Sequence, residues 1–242
     1  MIDGTFNVRD VGGIETSTGS RMRTGVLYRS AALDRVSGAG RAAMSALGLK
    51  TVVDLRSSHE VEQHGRFDPG STGIAWVHID SDFEPPNIDP KRMAKMLELD
   101  DPMLHFYPEM LEAGSPIFRD GLLLLAGKAD VPMIVHCTSG KDRTGMFSAF
   151  VQLLCDVPVE TVLREFERSG ELLAHTSADL AARYPEIAGA GIEKLKAMAG
   201  VNREWVVAAI ESIGGFESIE SWMDSIGVTV DDRAAIRKRM IE

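Results

Sequence analysis

The residues with the clearest chemical potential are grouped in one ten-residue stretch, His136 to Gly145, which reads HCTSGKDRTG. Cys137 and Arg143 are separated by five small, polar or charged residues. An apolar run (Met133, Ile134, Val135) precedes the stretch and a longer one follows it. This order predicts a strand, a tight loop and a helix. The backbone N–H groups of residues 138 to 143 can then curl around a tetrahedral dianion, supported by the positive end of the helix. Thr138, Ser139, Gly140, Lys141, Thr144 and Gly145 are the candidate binding residues of that cradle. Arg143 adds a planar fork that binds two phosphate oxygens at once. The same field favours a thiolate at Cys137 over a thiol, which makes it a nucleophile aimed at phosphorus. An ordinary buried cysteine would account for Cys137 alone. It would not account for Arg143, Thr144, Gly140 and Gly145 at these positions.

The elements that must position the stretch are readable on both sides of it. Residues 1 to 30 form a β-rich entry punctuated by Gly12 and Gly13 and ending in Val26, Leu27 and Tyr28. Arg9, Asp10 and Arg29, set among apolar neighbours, suggest a partly exposed ion-pair network. Ser37 can cap a helix running to Leu47, with Gly48 ending it. Thr51 to Leu55 is a β-branched strand interrupted by Asp54 and Arg56. A short helix over 58 to 64 and a strand over 74 to 79 follow, and Asp80, Ser81 and Asp82 stand at that strand's carboxyl end. Ligands of open α/β sheets gather there, so these acids can approach Cys137. Two helices are expected over 90 to 113, in a stretch that could cover the site. Ser115 and Pro116 signal a capped helix start. The segment Thr144 to Cys155 is apolar nearly all round, which predicts a buried helix, with Cys155 a packing residue.

The expected fold class is therefore α/β, a mostly parallel twisted sheet flanked by helices, with a helical carboxyl-terminal part. A single domain over 1–242 is expected, with a sheet-containing core to 157 and helices from 158 to 242 packed on it. The chain has 242 residues and a net charge of −10, from 26 basic and 36 acidic side chains. That balance argues against nucleic-acid binding. Two cysteines imply no disulfide framework. The six histidines show no metal-ligand spacing, so no metal is expected. The amino terminus lacks the regions of a signal peptide, and the longest aliphatic run, near Leu122 to Ala126, is too short to span a bilayer. A cytoplasmic protein without membrane insertion is expected, with export lacking a recognisable signal as the alternative.

At HCTSGKDRTG the chain resembles the protein tyrosine phosphatase superfamily, and Lys141 and Asp142 make it similar to the bacterial branch that includes mycobacterial tyrosine phosphatase B. FNVRDVGG (Phe6 to Gly13), LYRS (Leu27 to Ser30), VVDLRSSHEV (Val52 to Val61) and FESIESWM (Phe216 to Met223) share the character of that branch in the same order. The resemblance spans nearly the whole chain.

The resemblance implies a two-step phosphomonoester hydrolysis without a cofactor, acting on a phosphorylated protein or phosphoinositide and releasing inorganic phosphate. Cys137 attacks phosphorus, Arg143 and the loop amides stabilise the transferring group, and Thr144 assists the cysteine as it leaves. His136 orders the loop. No Trp-Pro-Asp triplet is present, so the general acid is Asp142 in the loop or, second, Asp82 outside it. Lys141 implies activity on phosphoinositides through a second positive charge on the loop floor. Arg56 and Asp54 match the branch's Asp-Leu-Arg element, which implies that they line the pocket wall and makes Arg56 a candidate substrate-binding residue; Asp82, at its strand's carboxyl end, is another. The rivals are a phosphate-binding module without turnover, and sulfurtransferase or arsenate-reductase chemistry on a loop of similar length.

Overall fold

The computed structural model describes residues 2–80, 83–84, 89–173 and 197–242. Asp82 and Ser81, and the break expected near Pro185, lie outside the described residues.

Five strands form one sheet. They are β1 (Arg9–Asp10), β2 (Leu27–Ser30), β3 (Thr51–Asp54), β4 (Ala75–His78) and β5 (Met133–His136), in the order β1-β2-β5-β3-β4. Only the β1–β2 pairing is antiparallel. The last strand in the chain occupies the centre, hydrogen-bonded to β2 on one side and β3 on the other. The carboxyl ends align: Ser30 and Asp54 both pair with His136, and His78 pairs with Asp54. Whatever follows His136 therefore emerges in the middle of the crevice where open α/β sheets bind ligands.

Alternation along the strands divides the core in two. Leu27, Val53, Leu55, Met133 and Val135 face one apolar cluster, and Val52 and Ile134 face another with Leu33, Met44 and Phe67. Helix α1 (Gly38–Ala46) serves the second cluster. Its Ser37 cap accepts from the Gly40 N–H, and Gly48 follows with φ of 71°. Helix α2 (Ser58–His64) starts immediately after β3 in a capping box made by Ser57 and Glu60.

The first cluster is covered by α3 (Pro90–Leu97), α4 (Pro102–Ala113), α5 (Ser115–Leu123), α6 (Asp142–Leu154) and α7 (Val159–Leu173). Helices α8 (Arg203–Ser212), α9 (Ile219–Ser225) and α10 (Val230–Met240) complete it. Two boundaries differ from the sequence reading. Ser115 is the first residue of α5 rather than its cap, because Gly114 takes the cap position and its carbonyl receives the Ile117 N–H. Helix α6 begins at Asp142, two residues earlier than expected, so Asp142 and Arg143 belong to its first turn. Met146, Phe147, Phe150 and Val151 of α6 are fully buried. Cys155 at its end is buried too, and desolvation pushes its thiol up to about 12, as befits a packing residue.

Candidate active site

The loop between β5 and α6 is shaped by contacts to its outward-turned carbonyls. Asn7 Nδ2 donates to Ser139 O at 3.1 Å and to Gly140 O at 3.0 Å, and Arg29 Nη2 donates to Gly140 O at 2.5 Å. Ala32 N–H donates to Thr138 O at 3.0 Å. Three successive loop carbonyls are thus tied to segments outside the loop. Gly140 has φ of 66°, and a Cβ there would lie 2.2 Å from Ser30 O. At Gly145 a Cβ would meet the Phe166 ring at 2.9 Å and Arg29 Nη2 at 3.4 Å. Both glycines are therefore imposed by close approach of other chain segments.

Arg143 is fixed by a residue that the sequence reading missed. Glu60, in the first turn of α2, receives Arg143 Nη1 at 2.6 Å and Nη2 at 2.8 Å, and Nη1 also donates to Leu55 O at 3.1 Å. The Thr138 hydroxyl donates to the same carboxylate, and so does the Ser57 N–H at 2.9 Å. Burial alone would raise the Glu60 pKa, but the Arg143 charge and these hydrogen bonds outweigh it and bring it down to about 2. Arg143 is correspondingly held above its ordinary value, since Glu60 more than offsets its desolvation. A guanidinium has five N–H donors. Among the described residues, Glu60 and Leu55 take three of Arg143's, leaving Nε–H and the outer Nη2–H, two parallel donors on one edge. The Ser-x-x-Glu capping box at the end of β3 was the sequence signal for Glu60.

The other residues singled out in the sequence fall into different places. Asp142 is about one-fifth exposed, with Tyr107 Oη donating to its Oδ1 at 2.7 Å and Lys141 Nζ lying 3.4 Å from the same oxygen. Thr144 is fully buried, and its hydroxyl has no hydrogen-bond partner among the described residues. Lys141 turns away from the loop floor. Its Nζ donates to Met198 O at 2.7 Å and Gly200 O at 2.9 Å and stands 5.2 Å from the centre of the Trp205 ring. The cavity bounded by Asp100, Asp101, Met198, Gly200, Asn202 and Trp205, about 280 Å³, includes no residue of the loop.

Arg56 lies inside the protein. It forms a fork with Asp54 (2.9 and 2.7 Å), donates to Gly65 O and stands 3.6 Å from Asp34. It is 1% exposed, and these contacts give it an internal bracing position rather than one on a pocket wall. Asp54 is raised by burial, but His136 and Arg56 overcome this and bring it to about 2. His136 Nδ1 donates to Cys137 O at 3.1 Å, which orients the strand end, and burial lowers its pKa.

Arg9 and Arg29 are not the exposed ion-pair network expected of them. Arg29 is buried and also reaches Ser169 Oγ at 3.4 Å, while Arg9 donates to Asn7, to Glu165 O and to Ser169 Oγ. Asp10 instead receives the Gly12 and Gly25 N–H groups. Burial pulls Arg9 down to about 10. Burial also holds Arg29 well below its ordinary value, an effect that the Arg9 charge reinforces. The loop is thus backed by positive charge in a chain that is negative overall. Among the described residues, no group of His, Cys, Asp or Glu could hold a metal ion, and no helix is long and apolar enough to cross a membrane.

The depressed pKa values of Glu60 and Asp54 set an acid-side stability profile. Their contributions are complete above the unfolded carboxylate range near 4.5 and are lost as the pH falls towards about 2. Glu60→Gln leaves Arg143 buried beside a neutral partner and should cost roughly 3 kcal/mol at neutral pH. It should also flatten the loss of stability between pH 5 and pH 2. Urea titrations of both proteins across that range would show it; parallel pH profiles would contradict the pairing.

Comparisons with known proteins give the family. A model described as "Tyrosine phosphatase family" matches residues 1–242. The chain is 30% identical to the "Triple specificity protein phosphatase PtpB" of Mycobacterium tuberculosis, covering 94% of each chain. It is 26% identical to a "Tyrosine-protein phosphatase" of Nostoc commune, covering 88% of this chain and 73% of that one. Among solved structures, the catalytic core of the PP-IP phosphatase SIW14 from S. cerevisiae matches 74% of this chain and 90% of its own, at 16% identity and a TM-score of 0.37. With a family match over residues 1–242 and a relative 30% identical over 94% of both chains, the chain belongs to the tyrosine phosphatase family.

Proposed function

We propose that the protein hydrolyses phosphomonoesters, phosphotyrosine first among them, through a phosphocysteine intermediate. The observation that carries this reading is the edge of Arg143. Glu60 and Leu55 occupy its other donors, and the two left over match two oxygens of a phosphoryl group.

Cys137 Sγ attacks phosphorus, the ester P–O bond breaks, and Asp142 gives its proton to the leaving oxygen. Water then attacks the phosphocysteine, its proton returns to Asp142, and the thiolate departs with the unpartnered Thr144 hydroxyl available to it. Through both steps the equatorial oxygens rest on the loop amides and on Arg143. Asp142 is favoured as the acid because it lies in the first turn of α6, next to Arg143 and partly open to solvent. The substrates we assign are phosphorylated proteins, with inorganic phosphate as product. We assign the site to the cytoplasm and the whole chain to one phosphatase domain.

A second reading extends the substrates to phosphoserine, phosphothreonine and phosphoinositides. It is favoured by the name "triple specificity" carried by the M. tuberculosis relative and by a lysine within the loop. Lys141 gives its donors to the backbone at 198 and 200, so this breadth requires it to exchange those acceptors for a second phosphate.

Cys137→Ser should abolish hydrolysis of p-nitrophenyl phosphate while a phosphotyrosine peptide still binds by calorimetry. A wild type inactive from acid to neutral pH would sink the enzyme reading, and turnover of thiosulfate would favour the sulfur chemistry. Asp142→Asn should slow esters of poor leaving groups by about 100-fold or more and p-nitrophenyl phosphate much less. An unchanged rate would move the acid to Asp82. In a panel of phosphopeptides and phosphoinositides, Lys141→Met should lose activity selectively on lipids with adjacent phosphates. An equal loss on every substrate would confine Lys141 to a bracing role.

A further inference from the structure

Tyr107 has no place in the chemistry so far, yet its only polar atom is committed to the site. It is fully buried on α4. Its ring lies edge-on to Phe106 (centroids 5.9 Å apart) and to Phe166 (6.1 Å) and is tilted against Trp205 (5.8 Å). Phenylalanine would satisfy all of that packing. The hydroxyl requires another explanation, because a buried O–H is costly without a partner. Its partner is Asp142 Oδ1, at 2.7 Å.

The direction of this hydrogen bond is fixed. Desolvation, and after it the Asp142 charge, hold the phenol well above its ordinary pKa, so Tyr107 is a neutral donor. Lys141 Nζ, 3.4 Å away, approaches the same Oδ1. No hydrogen bond or ion pair reaches Oδ2 among the described residues. The carboxyl group is therefore asymmetric, with one oxygen held as an acceptor from α4 and from the loop and the other unoccupied. The charged groups around this pair are Lys141 and Arg143 beside Asp142, with Cys137 and Arg29 acting on Tyr107.

We propose that Tyr107 is a positioning residue for Asp142, its buried hydroxyl holding Oδ1 as an acceptor so that Oδ2 carries the proton exchanged with the leaving group and then with water. This rests on Asp142 as the general acid. A hydrogen bond to a carboxylate stabilises the charged form more than the neutral acid. Removing it lets the acid keep its proton to higher pH, but leaves the carboxyl group free to rotate.

Tyr107→Phe deletes one oxygen and keeps the ring. With a poor leaving group, kcat should fall about 10-fold or more while KM stays within about twofold. The basic limb of the kcat–pH profile should move to higher pH. With p-nitrophenyl phosphate, kcat should change little. Placing 3,5-difluorotyrosine at position 107 strengthens the donor without deleting it, and should move that limb to lower pH; this arm decides the matter if the phenylalanine variant folds poorly. Asp142→Asn is measured alongside. If it lowers the poor-leaving-group rate while both changes at 107 leave the limb in place, Tyr107 only packs and the proposal is overturned. If Asp142→Asn leaves that rate unchanged, the acid assignment fails and the proposal fails with it.

Discussion

The arrangement depends on a buried ion pair, Arg143 with Glu60. Taking two charges out of water costs several kcal/mol for each ion, and their attraction offsets that only when the geometry is good and the remaining valences are filled. Both conditions hold. The fork is two-pronged, and Glu60 has further donors in Thr138 and the Ser57 N–H. Because those donors come from α2's cap and from the loop, the pair joins two segments, with Glu60 and Arg143 83 residues apart. Its geometric consequence is specific. A guanidinium gripped end-on by a carboxylate can turn neither toward it nor away, and its remaining edge is presented in one orientation.

The loop is held from its other side by different means. Asn7 and Arg29 pull on the carbonyls of Ser139 and Gly140, and Gly145 allows both Phe166 and Arg29 to close on the start of α6. Neither Arg29 nor Arg9 forms an ion pair with a carboxylate among the described residues, and Glu165 acts on both only from a distance, so the two cations behind the loop are partly compensated. A negative group held by the loop would supply further counter-charge to them. In a chain with net charge −10, positive potential is thereby concentrated at one place rather than spread over the surface.

Local rules made the outline legible in the sequence. The loop stood out by residue type and spacing, the parallel sheet by β-branched runs separated by capped helices, and α6 by apolar residues on every face. The partners that come from distant segments were not legible. Tyr107 lies 35 residues before Asp142 and reads as one more aromatic on an amphipathic helix. Lys141 reads as a loop cation, yet its acceptors are carbonyls 57 and 59 residues away. Arg56 pointed to a pocket wall through its match to the Asp-Leu-Arg element, whereas Asp54, two residues before it, folds its side chain back inside. Ser115 failed as a cap because Gly114 already closes α4 and opens α5, a junction with no spacer that caps read one helix at a time do not anticipate.

The central strand adds a constraint that neither the loop nor its partners could supply. His136 and Cys137 are adjacent but project to opposite faces, as successive strand residues must. His136 shares its face with Ile134 and lies against Asp54, while Cys137 joins the cluster with Val135. A one-residue slip of β5 would exchange the two, putting the imidazole where the thiol now stands. Such a slip would also drive Met133 and Val135 out of one core and Ile134 out of the other, against two neighbouring strands each paired over four residues. The register that delivers Cys137 to the start of the loop is thus enforced by burial on both faces of the sheet.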